Sequence, residues 1–137
     1  MAVFVATDYK ITLNGTNLSN VLQSVSLDIS SDEIETTAFG GGWRTRIQGL
    51  KSGSVTLNFF QDFGASSVDA TITPLFNAGS YATVVITPTS SAVSATNPAW
   101  TAVCLVSQYQ PFSASVGDIA TLSVTWPTSG TVSRATA

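Results

Sequence analysis

Tyr9-Lys10-Ile11-Thr12-Leu13-Asn14-Gly15 decides how the rest of the chain is read. Tyr9, Ile11 and Leu13 fall on one face, Lys10, Thr12 and Asn14 on the other. A period of two is that of a strand with one buried side. Asn14-Gly15 then supplies the dipeptide that accepts positive φ at both centres of a tight hairpin turn. The pattern returns downstream. Residues 21–29 alternate through Val25, Leu27 and Ile29, Ser30-Ser31-Asp32-Glu33 interrupts, and residues 34–37 resume a strand. Val55-Thr56-Leu57-Asn58-Phe59 alternates again and runs on to Phe60 and Phe63. Residues 81–87, 100–110 and 119–126 read as strands, the last two separated by a turn near Ser115-Val116-Gly117-Asp118, and residues 131–135 as a last short one. Many short strands punctuated by turns predict a mainly β fold, an antiparallel sandwich or barrel of about 7–8 strands.

One segment has another period. Val68, Ile72, Leu75 and Phe76 stand at i, i+4, i+7 and i+8, one face of a short flanking α-helix. Ser66 or Ser67 is placed to cap it, and Asp69 lies in the first turn, where the helix dipole favours an anion. Pro74 lacks the N–H a helix interior needs, so the helix is expected to kink or end near Thr73. Residues 88–98 form a polar loop. Residues 38–54 hold Gly40, Gly41, Gly42, Gly49 and Gly53 with little periodicity, and read as an extended loop or a mobile hairpin.

The 137 residues suit one domain, 1–137, able to bury roughly two-thirds of the surface its unfolded chain exposes. Hydrophobic residues make up 44% and mean hydropathy is +0.30. Charged residues are only 9%, against roughly 25% in an ordinary soluble domain. Ser and Thr carry the polarity instead. Such a surface suits packing against other protein, because these groups cost less to desolvate than ions; it also suits a Ser/Thr-rich extracellular β-domain. The net charge is −3, and the five basic residues are Lys10, Arg44, Arg46, Lys51 and Arg134. That disfavours gripping nucleic acid by its phosphates but not letting it slide past. The start of the chain, Met1 to Ala6, has no basic region of a signal peptide, and no apolar run approaches the ~20 residues of a membrane span. Folding in a cytosol is the expectation, and on that reading Asn14-Gly15-Thr16 and Asn17-Leu18-Ser19 carry no weight as glycosylation sites.

The chain has no histidine and one cysteine, Cys104. A Ser-His-acid triad, a Cys-His dyad, an intrachain disulfide and a Cys/His zinc site are therefore impossible within it. Cys104, between Val103 and Leu105 in a strand, reads as a packed thiol. Asp32, Glu33 and Glu35 are the densest acidic cluster. They could hold calcium or act as paired carboxylates, yet they lack the regular calcium-loop spacing, and a solvated strand end explains them equally. Gly40-Gly41-Gly42 has no following Lys-Ser/Thr and is no phosphate loop. No enzyme, cofactor or metal site is predicted. Of the three tryptophans, Trp100 and Trp126 fall in or beside strands, where packing is their usual role. Trp43 lies in the glycine-rich segment, the place for a partner-anchoring aromatic.

Several stretches are familiar in their order: Ile11-Thr12-Leu13-Asn14-Gly15-Thr16-Asn17-Leu18-Ser19, Val25-Ser26-Leu27, Glu35-Thr36-Thr37-Ala38-Phe39-Gly40, Arg46-Ile47-Gln48-Gly49-Leu50-Lys51-Ser52-Gly53, Phe59-Phe60-Gln61-Asp62-Phe63 leading into Ser67-Val68-Asp69-Ala70-Thr71, and Ser123-Val124-Thr125-Trp126-Pro127-Thr128-Ser129-Gly130. Together they cover most of the chain and resemble the major tail tube proteins of siphophages, of the actinobacteriophage-like kind; Gly40-Gly41-Gly42-Trp43 fits least. The resemblance implies a structural virion protein, a β-sandwich with a helix on its flank. Six copies would form a ring, and rings would stack into a hollow tube through which DNA is delivered. It implies other tail proteins as partners (tape measure, tail tip, terminator), DNA only as passing cargo, no membrane, and assembly in the host cytoplasm. With four strands per subunit, as the family suggests, ~24 strands would close a backbone barrel about 50 Å wide with a bore of roughly 40 Å, wider than a DNA duplex of about 20 Å.

Within that picture residues 38–54 are either an arm to a neighbouring subunit or ring, or a solvated connection within one chain. As an arm, Phe39 and Trp43 would be its apolar anchors, and Arg44, Arg46 and Lys51 would pair with Asp32, Glu33 or Glu35 across a contact. A tail terminator, a capsid decoration protein and a carbohydrate-binding β-sandwich module are the alternatives.

Overall fold

The structure, a computed structural model, describes residues 3–137; Met1 and Ala2, where the N-terminal stretch begins, lie outside the described residues. Its elements are β1 (Lys10–Leu13), β2 (Thr16–Asn17), a single 3-10 turn (Ser19–Val21), β3 (Leu22–Glu35), β4 (Arg46–Phe60), α1 (Val68–Ala78), β5 (Tyr81–Thr87), β6 (Ala99–Leu105), β7 (Thr121–Pro127) and β8 (Ser133–Ala135). They form two antiparallel sheets, one of five strands in the order β2-β1-β5-β6-β8 and one of three in the order β3-β4-β7. The mainly β reading thus holds. Neither sheet has the four strands per subunit that the resemblance implied.

The Asn14-Gly15 turn forms as read: Leu13 pairs with Thr16, and φ is 51° at Asn14 and 86° at Gly15. Asn14 is also held to the neighbouring strand, its N–H donating to the Thr83 carbonyl and its Oδ1 accepting the Thr83 N–H. Alternation then sets the core. Ile11, Leu13, Ala82, Val84, Ala102 and Cys104 point inward from the five-stranded sheet. Val55, Leu57, Phe59, Leu122, Val124 and Trp126 meet them from the other. Val68 and Ile72 of α1 complete the cluster. Each large apolar side chain buried in this way stabilises by about 1.5–3 kcal/mol.

α1 runs through Pro74 to Ala78 rather than ending near Thr73. Pro74 and Ala70, whose carbonyl Pro74 cannot serve, both belong to the exposed side, where water substitutes. The helix ends instead at Gly79, at φ 65°, where the Gly79 N–H donates to Phe76 and the Ser80 N–H to Leu75. Ser67 stands at the N-cap, but its hydroxyl donates to Asp62 and caps nothing.

β3 is continuous where an interruption at 30–33 was expected. The register shifts between Ser31 and Glu33, which face Lys51 and Gln48, so Gly49 and Leu50 bulge opposite Asp32 and pairing resumes beyond. The second half of the 38–54 segment is likewise strand, since β4 begins at Arg46. Its glycines are not loop residues. A Cβ at Gly49 would lie 3.0 Å from the Asp32 Cβ, and one at Gly53 would lie 2.9 Å from the Asp28 carbonyl oxygen. They mark close strand approach. β6 stops at Leu105, short of residue 110. Beyond it the chain is tied by side chains, with the Trp126 indole N–H donating to the Gln108 carbonyl (2.8 Å) and Gln108 Nε2 to the Thr125 carbonyl (2.9 Å).

Candidate subunit interface

β3 and β4 are much longer than their neighbours. β7 covers β4 only from Ser54 to Phe60, and Thr128 still bonds Gly53 just beyond it, so residues 30–35 and 46–52 leave the sandwich as a two-stranded arm. At about 3.3 Å per residue the arm reaches roughly 20 Å beyond the core. Its tip is closed by the Thr36 N–H donating to the Thr45 carbonyl (2.8 Å), by a Thr36–Thr45 hydroxyl pair (2.9 Å) and by the Thr45 N–H donating to the Thr37 hydroxyl (3.0 Å).

Phe39 and Trp43 stand on that tip with relative exposures of 108% and 88%. Ile29 is exposed at the root of the arm, and Ile34, Ile47 and Leu50 along it. Four of the charges expected to meet across a contact are paired within the single chain. Arg44 Nη1 lies 3.3 Å from Glu35 Oε1, and Arg46 Nε pairs with Glu33 Oε1. All four side chains remain substantially in water, so each pair contributes about 0–1 kcal/mol. Lys51 lies across from Ser31, and Asp32 faces the bulge; neither is in a salt bridge among the described residues. No group of His, Cys, Asp or Glu able to hold a metal occurs among the described residues.

A second surface escaped the sequence reading. The outward positions of the three-stranded sheet form cross-strand rows: Ser24–Asn58–Ser123, Ser26–Thr56–Thr125, Asp28–Ser54 and Ser30–Ser52. The hydroxyls bond one another, Thr56 to Thr125 at 3.2 Å and Ser30 to Ser52 at 3.5 Å. These four rows carry no Lys or Arg, and Asp28 is their one charge; Asp32 follows on the same side of β3. The signal was present as Ser, Thr or Asn at alternate positions of the three strands, on the side opposite the apolar residues. The outer face of the five-stranded sheet differs: it carries Lys10 and is overhung by Ser90, Ser91, Ala92 and Val93 of the 88–98 loop.

The tryptophans do not form a common platform. Trp126 is fully buried. Trp100 is half-buried and lines an open cleft of about 410 Å³ with Tyr9, Val25, Leu27, Ile29, Ile86 and Pro88. Cys104 is buried and its thiol is pushed up to about 11 by that burial. Burial also raises Tyr109, whose hydroxyl donates to Asp69 (2.8 Å) and accepts from Gln61 (3.1 Å). These contacts tie the 106–112 segment to α1 and to the end of β4. Asp62 is held below the ordinary carboxylate range by the Gly64 N–H and then by the Ser67 hydroxyl, and Asp8 by the N–H and hydroxyl of Ser90. Each of these acids fixes a loop.

No family model matches the sequence, and no curated protein does. Solved structures do match in fold. A chain of the virion of a native gene transfer agent particle is 12% identical, with a TM-score of 0.77 over 96% of this chain and 98% of that one. A chain of the tail of an empty gene transfer agent particle, refined helically with C6 symmetry, is 14% identical, with a TM-score of 0.70 over 91% and 92%. A chain of the six-fold symmetrised baseplate of the anti-feeding prophage is 11% identical, with a TM-score of 0.54 over 98% and 97%. The class defined is therefore a fold shared, over nearly its whole length, with chains of virion, tail and prophage baseplate assemblies.

Proposed function

We propose that this chain is a structural subunit of a phage-type tail that assembles with its own copies into stacked, hexameric rings forming the tail tube, and that DNA passes down the bore at delivery. It acts by assembly, without catalysis or cofactor. Its partners are further copies and the tape measure, tail tip and terminator proteins, and its place is the virion tail after assembly in the host cytoplasm. The observation that carries this reading is the arm, a two-stranded projection with the outer edge of β3 unpaired and aromatic side chains at its tip, in a chain with 9% charged residues. Open strand edges are templates for pairing, and closure in a ring removes them. The C6 symmetry of a tail whose chain has this fold supports six copies per ring.

The three-stranded sheet is the wall facing the bore. The charges on its exposed side are the acids Asp28 and Asp32, and a wall without cations does not hold phosphates. Six such sheets give ~18 strands. At about 4.8 Å spacing and a 45° tilt they close a backbone barrel roughly 39 Å across, and side chains narrow it to about 30 Å. A duplex of about 20 Å still passes.

Negative-stain electron microscopy of the purified chain, fresh and concentrated, tests the proposal. Hollow rings or tubes with a bore wider than a duplex are expected. Deleting residues 40–46 should leave a folded chain and abolish tubes, whereas normal-length tubes from that deletion would remove the arm from the assembly. Particles that stay monomeric at every concentration would favour a decoration or sugar-binding module.

A further inference from the structure

The sandwich is open along one side. Val25, Leu27 and Ile29 lie on the inward side of β3, yet none of them is fully buried. With Ile86 and Trp100 of the other sheet they wall the cleft of about 410 Å³, and Tyr9 lines it too. The Tyr9 hydroxyl and the Trp100 indole N–H are the only side-chain polar groups there, and no charge lines it. Its occupant must therefore be apolar. The outer edge of β3 beside it has no strand partner among the described residues.

Apolar material stands next to it in the chain's own first residues. Val3 and Val5 are 83% and 79% exposed, and Phe4 is exposed as well. The Thr7 N–H donates to the Val5 carbonyl (2.9 Å), a three-residue turn at Ala6 that folds the segment back. Phe4 thereby meets Tyr9, with ring centroids 6.1 Å apart. Asp8 fixes the base of the segment by accepting from the N–H (3.0 Å) and the hydroxyl (2.8 Å) of Ser90. Ala6 and Thr7 share a smaller hollow with Leu22, Gln23 and Ser24, so the segment runs beside β3.

We propose that residues 3–6 are a strap that closes over this cleft in the free chain, with Phe4 entering between Leu27 and Trp100 and the backbone lying along the open edge of β3. The dimensions agree. Val25 to Ile29 spans about 13 Å, and four extended residues span about 13 Å. Val-Phe-Val is a sequence that an added strand favours. A short tether gives an effective concentration on the order of millimolar, so in dilute solution a chain's own strap fills the cleft ahead of any other copy's. Closure hides the β3 edge, and ring closure as proposed above needs that edge free. The strap keeps subunits single until a neighbour's strand displaces it. This regulation rests on the tube reading; closure itself does not.

Phe4→Cys combined with Leu27→Cys, and separately with Ile29→Cys, tests closure. A disulfide needs Cα atoms about 4.4–6.8 Å apart, so it forms only where the strap is seated. The native thiol, Cys104, is buried and stays out of the exchange. Mild oxidation of dilute protein should give an intrachain disulfide in at least one pair, seen as monomer on a non-reducing gel with Cys104 as the remaining free thiol. The oxidised chain should form no tubes, and reduction should restore them. Phe4→Ser, which leaves the cleft unfilled, should form tubes at a concentration at least about twofold below that of the wild type, the factor expected when half of the free chains are closed. Absence of a disulfide in both pairs overturns the strap. Disulfide-linked dimers overturn the chain's own segment as the occupant and assign the cleft to a second copy. An oxidised chain that forms tubes as readily as the reduced one overturns the regulation and leaves closure standing. A wild-type chain that never assembles overturns the tube reading and the regulation together, and the disulfide still decides closure.

Discussion

Gly53 sits where the arm leaves the sandwich and is held from both sides. Its carbonyl accepts the Thr128 N–H at 2.9 Å. A Cβ there would meet the Asp28 carbonyl oxygen at 2.9 Å, Ile29 Cγ2 at 3.2 Å and Thr128 Cγ2 at 3.4 Å. The nearest atom is backbone of the paired strand, so no rotamer change relieves the overlap and the strands must part. Gly53→Ala should therefore destabilise by about 1–3 kcal/mol, the usual cost of overpacking, and lower Tm by roughly 3–10 °C for a chain of this size. Gly49→Ala should cost less, because one of its two contacts at 3.0 Å is the exposed end of Ile34, which can move. Gly42 has nothing within 4 Å and no positive φ. Gly42→Ala should be neutral, or stabilising by about 0.4–1 kcal/mol through the unfolded chain. Thermal unfolding followed by far-ultraviolet circular dichroism, on dilute protein so that assembly does not contribute, gives the order. If Gly53→Ala and Gly42→Ala melt together, close strand approach at the root of the arm is not the reason glycine stands there.

Trp126 spans the core between the sheets, so Trp126→Ala should cost about 3–5 kcal/mol; Trp126→Phe, which keeps a ring and leaves the Gln108 carbonyl without its donor, about 1–2 kcal/mol. Urea denaturation ranks the two, and equal losses would mean that filling the core is not what Trp126 contributes. Asp62 has its folded pKa depressed below 3.8, so its bonds to Gly64 and Ser67 stabilise above that pH and are lost as pH falls through the lower folded value. Asp62→Asn should be less stable than the wild type at neutral pH, with the gap closing in acid; a gap that persists in acid would place the effect outside the carboxylate.

The core was legible wherever a strand has one wet and one buried face. Ile11 and Leu13, Leu57 and Phe59, and the Asn14-Gly15 turn all follow from a period of two. Legibility failed on the arm, where both faces meet solvent and alternation has nothing to report. Ser30 to Glu33 looked like a break because no core selected those side chains, although backbone pairing with β4 continues past them. Gly49 and Gly53 misled for a related reason, since glycine marks a loop and a tight strand approach alike. The intrachain ion pairs were not legible because sequence supplies the charges and not the turn. With Thr36 and Thr45 hydrogen-bonded, Glu35 lies beside Arg44, and Glu33 pairs with Arg46. The Phe63–Phe112 pair brings together residues far apart in sequence, and no local periodicity announces that.

The arm cannot be stabilised by its own interior, because it has none. Ordering each residue opposes folding by about 1–2 kcal/mol of backbone entropy, while cross-strand pairs return roughly 0.2–1 kcal/mol each and its exposed ion pairs little more. An isolated two-stranded hairpin is marginal in water. The side chains that could shift the balance, Phe39, Trp43, Ile47 and Leu50, face solvent in the single chain. Their apolar area becomes stabilising only when another surface covers it. In the proposed tube the arm would be ordered by the neighbour that covers it, so the first arms to dock bear the ordering cost. Later arms then meet a surface already in place. Assembly governed in that way is cooperative, slow to begin and quick to extend.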